Sequence, residues 1–107
     1  MNKVKYLIWV DDERELPHHM SWIADEIIIC RTYRQAINAL DMYCPIGTVY
    51  LELDHDLGCK QTGYDVAKYL VEHQLSLYGF NCHSFNPVGK KNIEELLLHY
   101  GYQLGLM

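Results

Sequence analysis

The chain has 107 residues, 50% of them apolar and 21% charged, which is ordinary for one globular domain spanning residues 1–107. Nine lysine and arginine residues against fourteen aspartate and glutamate residues give a net charge of −5, which argues against duplex nucleic acid as the ligand. A small phosphorylated ligand remains compatible with this charge, because a few local cations and backbone amides can hold it. No stretch approaches the roughly 20 apolar residues of a membrane span, so we expect no membrane contact.

The four cysteines are spaced widely, without a Cys-x-x-Cys pair, which disfavours a disulfide framework or a zinc ribbon. Cys30 and Cys82 lie inside apolar runs, as buried free thiols do. The first apolar run, of about five residues, is too short for a secretion signal. We therefore expect a reduced, cytoplasmic protein, and the sequence specifies no oligomeric state.

Two short apolar runs predict the first two strands. Residues 6–10 are typical of a strand covered on both faces, and residues 27–30 form a second, β-branched run. Residues 15–26 between them are flanked by polar residues and contain Pro17, which favours a loop with at most a short helix.

A helix is predicted after the second strand. Thr32 and Gln35 have the spacing of a capping box, and Pro45 and Gly47 end the helix. Its apolar stripe consists of Tyr33, Ala36, Ile37 and Leu40.

The same alternation continues to the end of the chain. Residues 48–53 predict a third strand, and residues 80–84, after Gly79, predict a weaker fourth strand. The helix between them is marked by Gly63, Val66, Ala67 and Leu70. A last helix begins at Asn86 and Pro87 and stops at Gly101. Its stripe is Ile93, Leu96, Leu97 and Tyr100.

Strands that alternate with helices predict an α/β fold with a parallel sheet and right-handed crossovers. If the first strand is central, the strand order is 2-1-3-4. The direction in which the chain adds strands to the sheet then changes between strands one and three. Ligands bind beside such a reversal, at the carboxyl ends of the strands. Asp11 and Asp12 follow the first strand, and Asp54, His55 and Asp56 follow the third. The order therefore places five polar side chains at the expected ligand site.

The first candidate group is Asp11, Asp12 and Arg14. Adjacent carboxylates repel unless a cation offsets them, and Mg²⁺ takes one or two carboxylates while it keeps waters and phosphate oxygens. Arg14 can bind a phosphate or simply neutralise Asp12.

The second candidate group is the acidic triplet. Asp54, closest to the strand end, is a candidate metal ligand or nucleophile. His55 is a candidate general acid or base, a ligand, or a polar cover of the site. Asp56 is the member best explained as a turn residue.

The third candidate group surrounds the start of the last helix. His83 and Ser84 lie at the end of the predicted fourth strand, and the free N–H groups of the helix that follows form an anion site. Gly89 allows a ligand to approach the backbone, and Lys90 or Lys91 adds charge. In the structural alternative, Asn86 is only a cap, His83 is a half-buried strand residue and the lysines are solvated.

The remaining histidines and the tryptophans are expected to be structural. His18, His19, His73 and His99 show no metal-ligand spacing, so we expect them at the surface. Trp9 and Trp22 are expected in the core.

Three motifs in order resemble the cyclic-phosphate processing receiver-like domain family of bacteria and their phages. They comprise residues 10–17, residues 53–58 with 62–66, and residues 83–92. The resemblance implies a receiver-like, flavodoxin-like three-layer fold whose pocket handles cyclic or terminal phosphates of nucleotides.

The same residues are similar to ordinary phosphoacceptor receivers, with Asp11 and Asp12 as the acidic pair, Asp54 as the acceptor and Ser84 as the hydroxyl after the fourth strand. The chain departs from that pattern because it lacks a clear fifth strand preceded by a lysine.

We therefore expect metal-assisted binding or hydrolysis of a small nucleotide with a cyclic or terminal phosphate. Mg²⁺ or Mn²⁺ would be held by Asp11, Asp12 and Asp54. His83, His55 and Asp54 are the catalytic candidates. The predicted phosphate-binding residues are Arg14, Ser84, Asn86, Gly89 and Asn92. The alternatives are a nucleotide-sequestering protein without turnover, a stand-alone phosphoacceptor receiver modified at Asp54, and a receiver-fold adaptor that binds a protein through its polar loops.

Overall fold

A computed structural model describes residues 3–105 as a four-stranded parallel sheet with three α-helices. The strands are β1 (Lys5–Val10), β2 (Glu26–Cys30), β3 (Thr48–Leu53) and β4 (Gly79–Cys82). They lie in the order β2-β1-β3-β4, which confirms the predicted α/β class and strand order.

The first and last of the three helices begin at the predicted caps, Thr32 and Asn86, and the middle helix begins after Thr62, which was not predicted as a cap. They are α1 (Tyr33–Tyr43), α2 (Gly63–Glu72) and α3 (Pro87–His99). Thr32 accepts a hydrogen bond from the backbone N–H of Gln35, but the Gln35 side chain binds the N–H of Arg31, so α1 has half of the predicted capping box. The complete box belongs to α2, between Thr62 and Asp65.

All three helices pack on one face of the sheet. Right-handed crossovers explain the position of α1 and α2, because the steps from β2 to β3 and from β3 to β4 run in the same direction across the sheet. The last helix, α3, follows β4 and packs beside α2 on the same face. The core between the helices and the sheet includes Ile8, Leu51, Leu40, Leu70 and Leu97.

The other face is covered by the connection between β1 and β2, because that single step runs in the opposite direction. A short 3-10 helix (His18–Trp22) lies in this connection, as the polar sequence and Pro17 predicted. Met20 packs there on Leu7, Trp9 and Tyr50. The expectation of a buried Trp22 is wrong, since its side chain is 79% exposed.

The fourth strand is shorter than predicted and ends at Cys82, because its partner β3 ends at the register position Leu53. His83 and Ser84 therefore follow the strand. Within residues 3–105, only one isolated bridge, between Phe80 and Leu104, occupies the edge beyond β4, so the expected lack of a clear fifth strand is confirmed. In the same range, no helix combines the length and apolar character needed to cross a bilayer.

Candidate functional site at the carboxyl ends of the strands

Three strands end at equivalent positions with a polar residue. Asp11, Asp54 and His83 are the first residues after β1, β3 and β4. Their backbone N–H groups continue the sheet hydrogen bonding at 2.9 to 3.1 Å. The ligand atoms of the three side chains lie within 4.8 Å of one another, so the sheet brings two predicted carboxylates and one predicted histidine together. We call these three residues the carboxylate–histidine cluster.

His83 is held between two buried carboxylates. Its Nε2 lies 2.9 Å from Asp11 Oδ2, and its Nδ1 lies 2.9 Å from Glu52 Oε1. The ring stacks on Trp9 with the ring centroids 4.2 Å apart. Each ring nitrogen therefore has a carboxylate oxygen within hydrogen-bond distance. These contacts hold the ring in one position beside the cluster.

Glu52 is the site residue that the sequence analysis missed. It lies in the middle of β3, its side chain is 2% exposed, and it binds His83 through one oxygen. Its other oxygen, Oε2, has no hydrogen-bond partner among residues 3–105. A single carboxylate inside the apolar run 49–53 was the available signal, because a buried charge requires a partner.

The backbone after β1 wraps around Asp11. Its Oδ1 accepts hydrogen bonds from the backbone N–H groups of Glu13 at 3.0 Å and Arg14 at 2.8 Å. Burial opposes ionisation of Asp11, but these N–H groups and His83 outweigh it, so the pKa of Asp11 lies below its ordinary value. Asp11 is therefore the stably ionised member of the cluster.

Asp54 experiences the opposite balance. Burial and then the negative charge of Asp11 raise the pKa of Asp54 above its ordinary value. The charge of His83, the Asp56 backbone and the Ser84 hydroxyl offset this increase only in part. The two carboxylates thus differ in their affinity for a proton, and a cation placed between them would favour the ionised form of both.

Arg14 is fixed at the border of the cluster. Its guanidinium donates to the backbone oxygen of His83 at 3.1 Å, lies 3.8 Å from Asp11 Oδ2, and covers the ring of the exposed Phe85. Arg31, which the sequence analysis did not single out, donates to the backbone oxygens of Asp11 and Arg14 and holds this loop in place. A positive charge is thereby placed beside the carboxylates, where a phosphate could contact it.

His55 and the start of α3 form the opposite wall. His55 Nδ1 lies 2.9 Å from Asp56 Oδ1 and 3.5 Å from the Asn86 side-chain nitrogen. The ring fills the space beside Gly89, where an added Cβ would lie 2.4 Å from its Cγ. A ligand can therefore approach the Gly89 backbone only if this ring moves.

Among the predicted phosphate-binding residues, Ser84 and Asn86 lie at the start of α3, whereas Asn92 does not. Asn86 caps α3 by accepting from the N–H of Gly89 at 2.9 Å, and Ser84 accepts from the N–H of Asn86 at 3.1 Å. Asn92 lies away from the cluster, in a groove between α2 and α3 beside Tyr64.

Asp12 lies outside the closest group of possible metal ligands, and its carboxylate is beside Gly58. The described donor atoms that could hold an ion are those of Asp11, Asp54 and His83. Two buried carboxylates fit a hard divalent ion such as Mg²⁺ or Mn²⁺, which completes its shell with water and phosphate oxygens.

The surrounding histidines and cysteines behave as the sequence predicted. The exposed histidines are His18, His19, His73 and His99. Cys30 and Cys82 are buried free thiols.

A family model described as the cyclic-phosphate processing receiver domain matches residues 6–99. The match covers most of the chain and includes every residue of the cluster, so the chain belongs to this family. No curated protein matches the chain.

Proposed function

We propose that the protein binds a small nucleotide with a cyclic or terminal phosphate and hydrolyses its phosphoester with the help of a divalent metal ion. The observation that carries this proposal is the convergence of Asp11, Asp54 and His83 within 4.8 Å at the strand ends. Membership of a cyclic-phosphate processing family agrees with this chemistry.

Asp11 and Asp54 are the proposed ligands of Mg²⁺ or Mn²⁺, and Asp12 is a further candidate from the adjoining loop. An ion held there would neutralise phosphate charge and favour attack at phosphorus. Arg14 and Ser84 would bind the phosphate oxygens from either side of the cluster, and Asn86 would hold the wall that carries His55.

His83 is the proposed proton donor. Hydrolysis adds water to phosphorus and breaks one phosphorus–oxygen bond, and the departing oxygen must gain a proton. His83 is positioned for this role because both of its ring nitrogens lie 2.9 Å from a carboxylate oxygen, one on Asp11 and one on Glu52. The same Nε2 atom cannot hold a proton and ligate an ion, so the donor role leaves metal binding to the carboxylates.

His55 is the proposed acceptor of the proton from water. Donation from its Nδ1 to Asp56 leaves the other ring nitrogen free to accept a proton. A role for both histidines predicts that removing either one lowers turnover and leaves part of the binding affinity, because phosphate contacts remain.

The test combines phosphorus NMR with titration calorimetry. Wild-type protein is mixed with 2′,3′-cyclic or 3′,5′-cyclic nucleotides in Mg²⁺, in Mn²⁺ or in EDTA. We expect a new monoester resonance to appear in the presence of the metal ion and not in EDTA. Its rate of appearance should fall at least 100-fold for His83→Ala, and no such resonance should appear for Asp54→Asn. Glu95→Gln, on the exposed part of α3, is the control and should retain wild-type turnover.

Other outcomes identify the competing functions. Tight binding with an unchanged ligand spectrum would indicate a protein that sequesters the nucleotide. A stable acyl-phosphate formed from acetyl phosphate, and absent in Asp54→Asn, would indicate a phosphoacceptor receiver. Absence of any response to these compounds contradicts the proposal and favours a protein-binding adaptor.

A further inference from the structure

A cavity of about 320 Å³ lies on the sheet face opposite the α-helices. Its floor is formed by Trp9, Glu52 and Asn81, which are register partners on β1, β3 and β4. Each lies two residues before a member of the carboxylate–histidine cluster, and side chains two residues apart point to the same face of a strand. The cavity therefore continues the sheet face that ends in the cluster. Its other lining residues are Arg14, Pro17, His19, Met20 and His83.

The cavity contains a buried hydrogen-bond acceptor without a donor. Glu52 lines it, is 2% exposed, and uses Oε1 for His83, whereas Oε2 has no partner among residues 3–105. An unpaired carboxylate oxygen in such a place is costly, and a ligand N–H that binds it would remove this cost. Because Oε2 is itself closed to solvent, a ligand N–H reaches it only when the Glu52 side chain turns towards the cavity, and a donor placed there would then be favoured.

Asn81 gives the floor a second polar group. It is the register partner of Glu52 on the neighbouring strand, and its exposed amide can both donate and accept. A carboxylate beside an amide is complementary to the edge of a nucleobase, where an amino group lies next to a ring nitrogen or a carbonyl. The volume of the cavity is within the range of small-molecule sites.

We propose that this cavity binds the base of the nucleotide and prefers bases with an exocyclic amino group, which donates to Glu52. The inference rests on the proposed function, because it places the base of the same ligand. Arg14 and His83 border both the cavity and the cluster, so one nucleotide can have its phosphate at the strand ends and its base on the sheet face.

The test measures binding of four nucleoside 2′,3′-cyclic phosphates by titration calorimetry, with inorganic phosphate as the ligand without a base. Cytidine is compared with uridine, and guanosine with inosine, because one member of each pair lacks the amino group. In wild-type protein we expect each amino-bearing ligand to bind about tenfold tighter than its partner. Glu52→Gln should reduce that ratio at least threefold, whereas Glu95→Gln, the same change at an exposed site, should preserve it.

A second variant keeps the test valid if Glu52→Gln does not fold. Asn81→Leu replaces an exposed floor residue, and we expect it to weaken all four nucleotides at least tenfold while inorganic phosphate binds as before. Equal binding of all four nucleotides by wild-type protein, or unchanged binding by Asn81→Leu, overturns the base site and leaves the phosphate site standing. Absence of binding by every nucleotide and by inorganic phosphate overturns both.

Discussion

Asp54 combines burial with a neighbouring negative charge, and both raise its pKa. The folded protein therefore holds a proton at this position more tightly than the unfolded chain does. Stability from this group is complete below the ordinary pKa of 3.8 and is lost as the pH rises through the higher folded-state value. At neutral pH the ionised Asp54 destabilises the fold in the absence of metal.

We predict that Asp54→Asn raises the free energy of unfolding by about 1 kcal/mol at pH 7 in EDTA. The gain should shrink as the pH is lowered towards 3.8, because the wild-type carboxyl then becomes neutral. Urea unfolding at several pH values measures it, with Asp12→Asn as the control outside the cluster. A loss of stability for Asp54→Asn would contradict this electrostatic account.

His83 has the opposite role, since it stabilises two buried carboxylates. We predict that His83→Ala lowers the free energy of unfolding by about 3 kcal/mol, because Glu52 loses its hydrogen-bond partner and Asp11 loses one of its partners. Glu52→Gln in the same chain should recover part of this loss, since one uncompensated charge is removed. A double-mutant cycle in urea measures the coupling between the two residues, and additive effects would refute it.

The sequence predicts these residues unequally for a physical reason. Asp11 and Asp54 each end an apolar run, so a strand assignment alone places them at the sheet edge. Glu52 lies inside its run, and its role depends on His83, which is 31 positions away in the sequence. Only the register of β3 and β4 brings these two side chains together, and a local pattern does not contain it.

At the scale of elements, the start of α3 serves both the fold and the proposed site. The side-chain oxygen of Asn86 accepts a hydrogen bond from the N–H of Gly89, and its side-chain nitrogen lies 3.5 Å from His55 Nδ1. Because aspartate caps a helix as well as asparagine does, the two roles can be separated by substitution.

We predict that Asn86→Ala costs about 1 kcal/mol of stability, whereas Asn86→Asp retains the wild-type value. Both should weaken phosphate binding, and the aspartate variant more strongly, because it adds a negative charge where an anion is expected. Thermal unfolding and calorimetry with inorganic phosphate give the two quantities. If Asn86→Asp binds phosphate as tightly as wild type, Asn86 has no contact with the ligand.

The elements themselves follow closely from the sequence, because each has a local start or stop signal. Pro87 and Asn86 fix the start of α3, and Gly101, with a φ of 90°, follows its end. The prediction that Trp22 is buried was wrong, because the connection between β1 and β2 covers only part of the sheet face opposite the α-helices. Periodicity does not reveal how much of a face a neighbouring element covers.

For the whole molecule, the packing separates the cysteines into one exposed and three buried thiols. Burial raises the pKa of Cys30 to about 11 and that of Cys82 to about 12. Burial, with a contribution from Asp41, likewise raises the pKa of Cys44 to about 12. Cys59 is exposed on the loop between β3 and α2, which also carries His55.

We predict that one equivalent of a thiol reagent reacts rapidly with native protein at pH 8 and that four react after denaturation. Cys59→Ser should abolish the rapid phase, and absorbance of the released chromophore measures it. A rapid reaction of two or more thiols in native protein would show that the core opens far more readily than its packing implies.

The shared register of β1, β3 and β4 also restricts how the chain can change in length. Asp11, Asp54 and His83 continue the sheet face of Trp9, Glu52 and Asn81, while the alternate residues pack under the helices. Inserting or deleting one residue within a strand would turn the acidic groups into the helix-covered core and the apolar groups towards the ligand site. Insertions and deletions among descendants of this chain should therefore be confined to the loops. A change of length within a strand would disrupt the core and the ligand site at the same time.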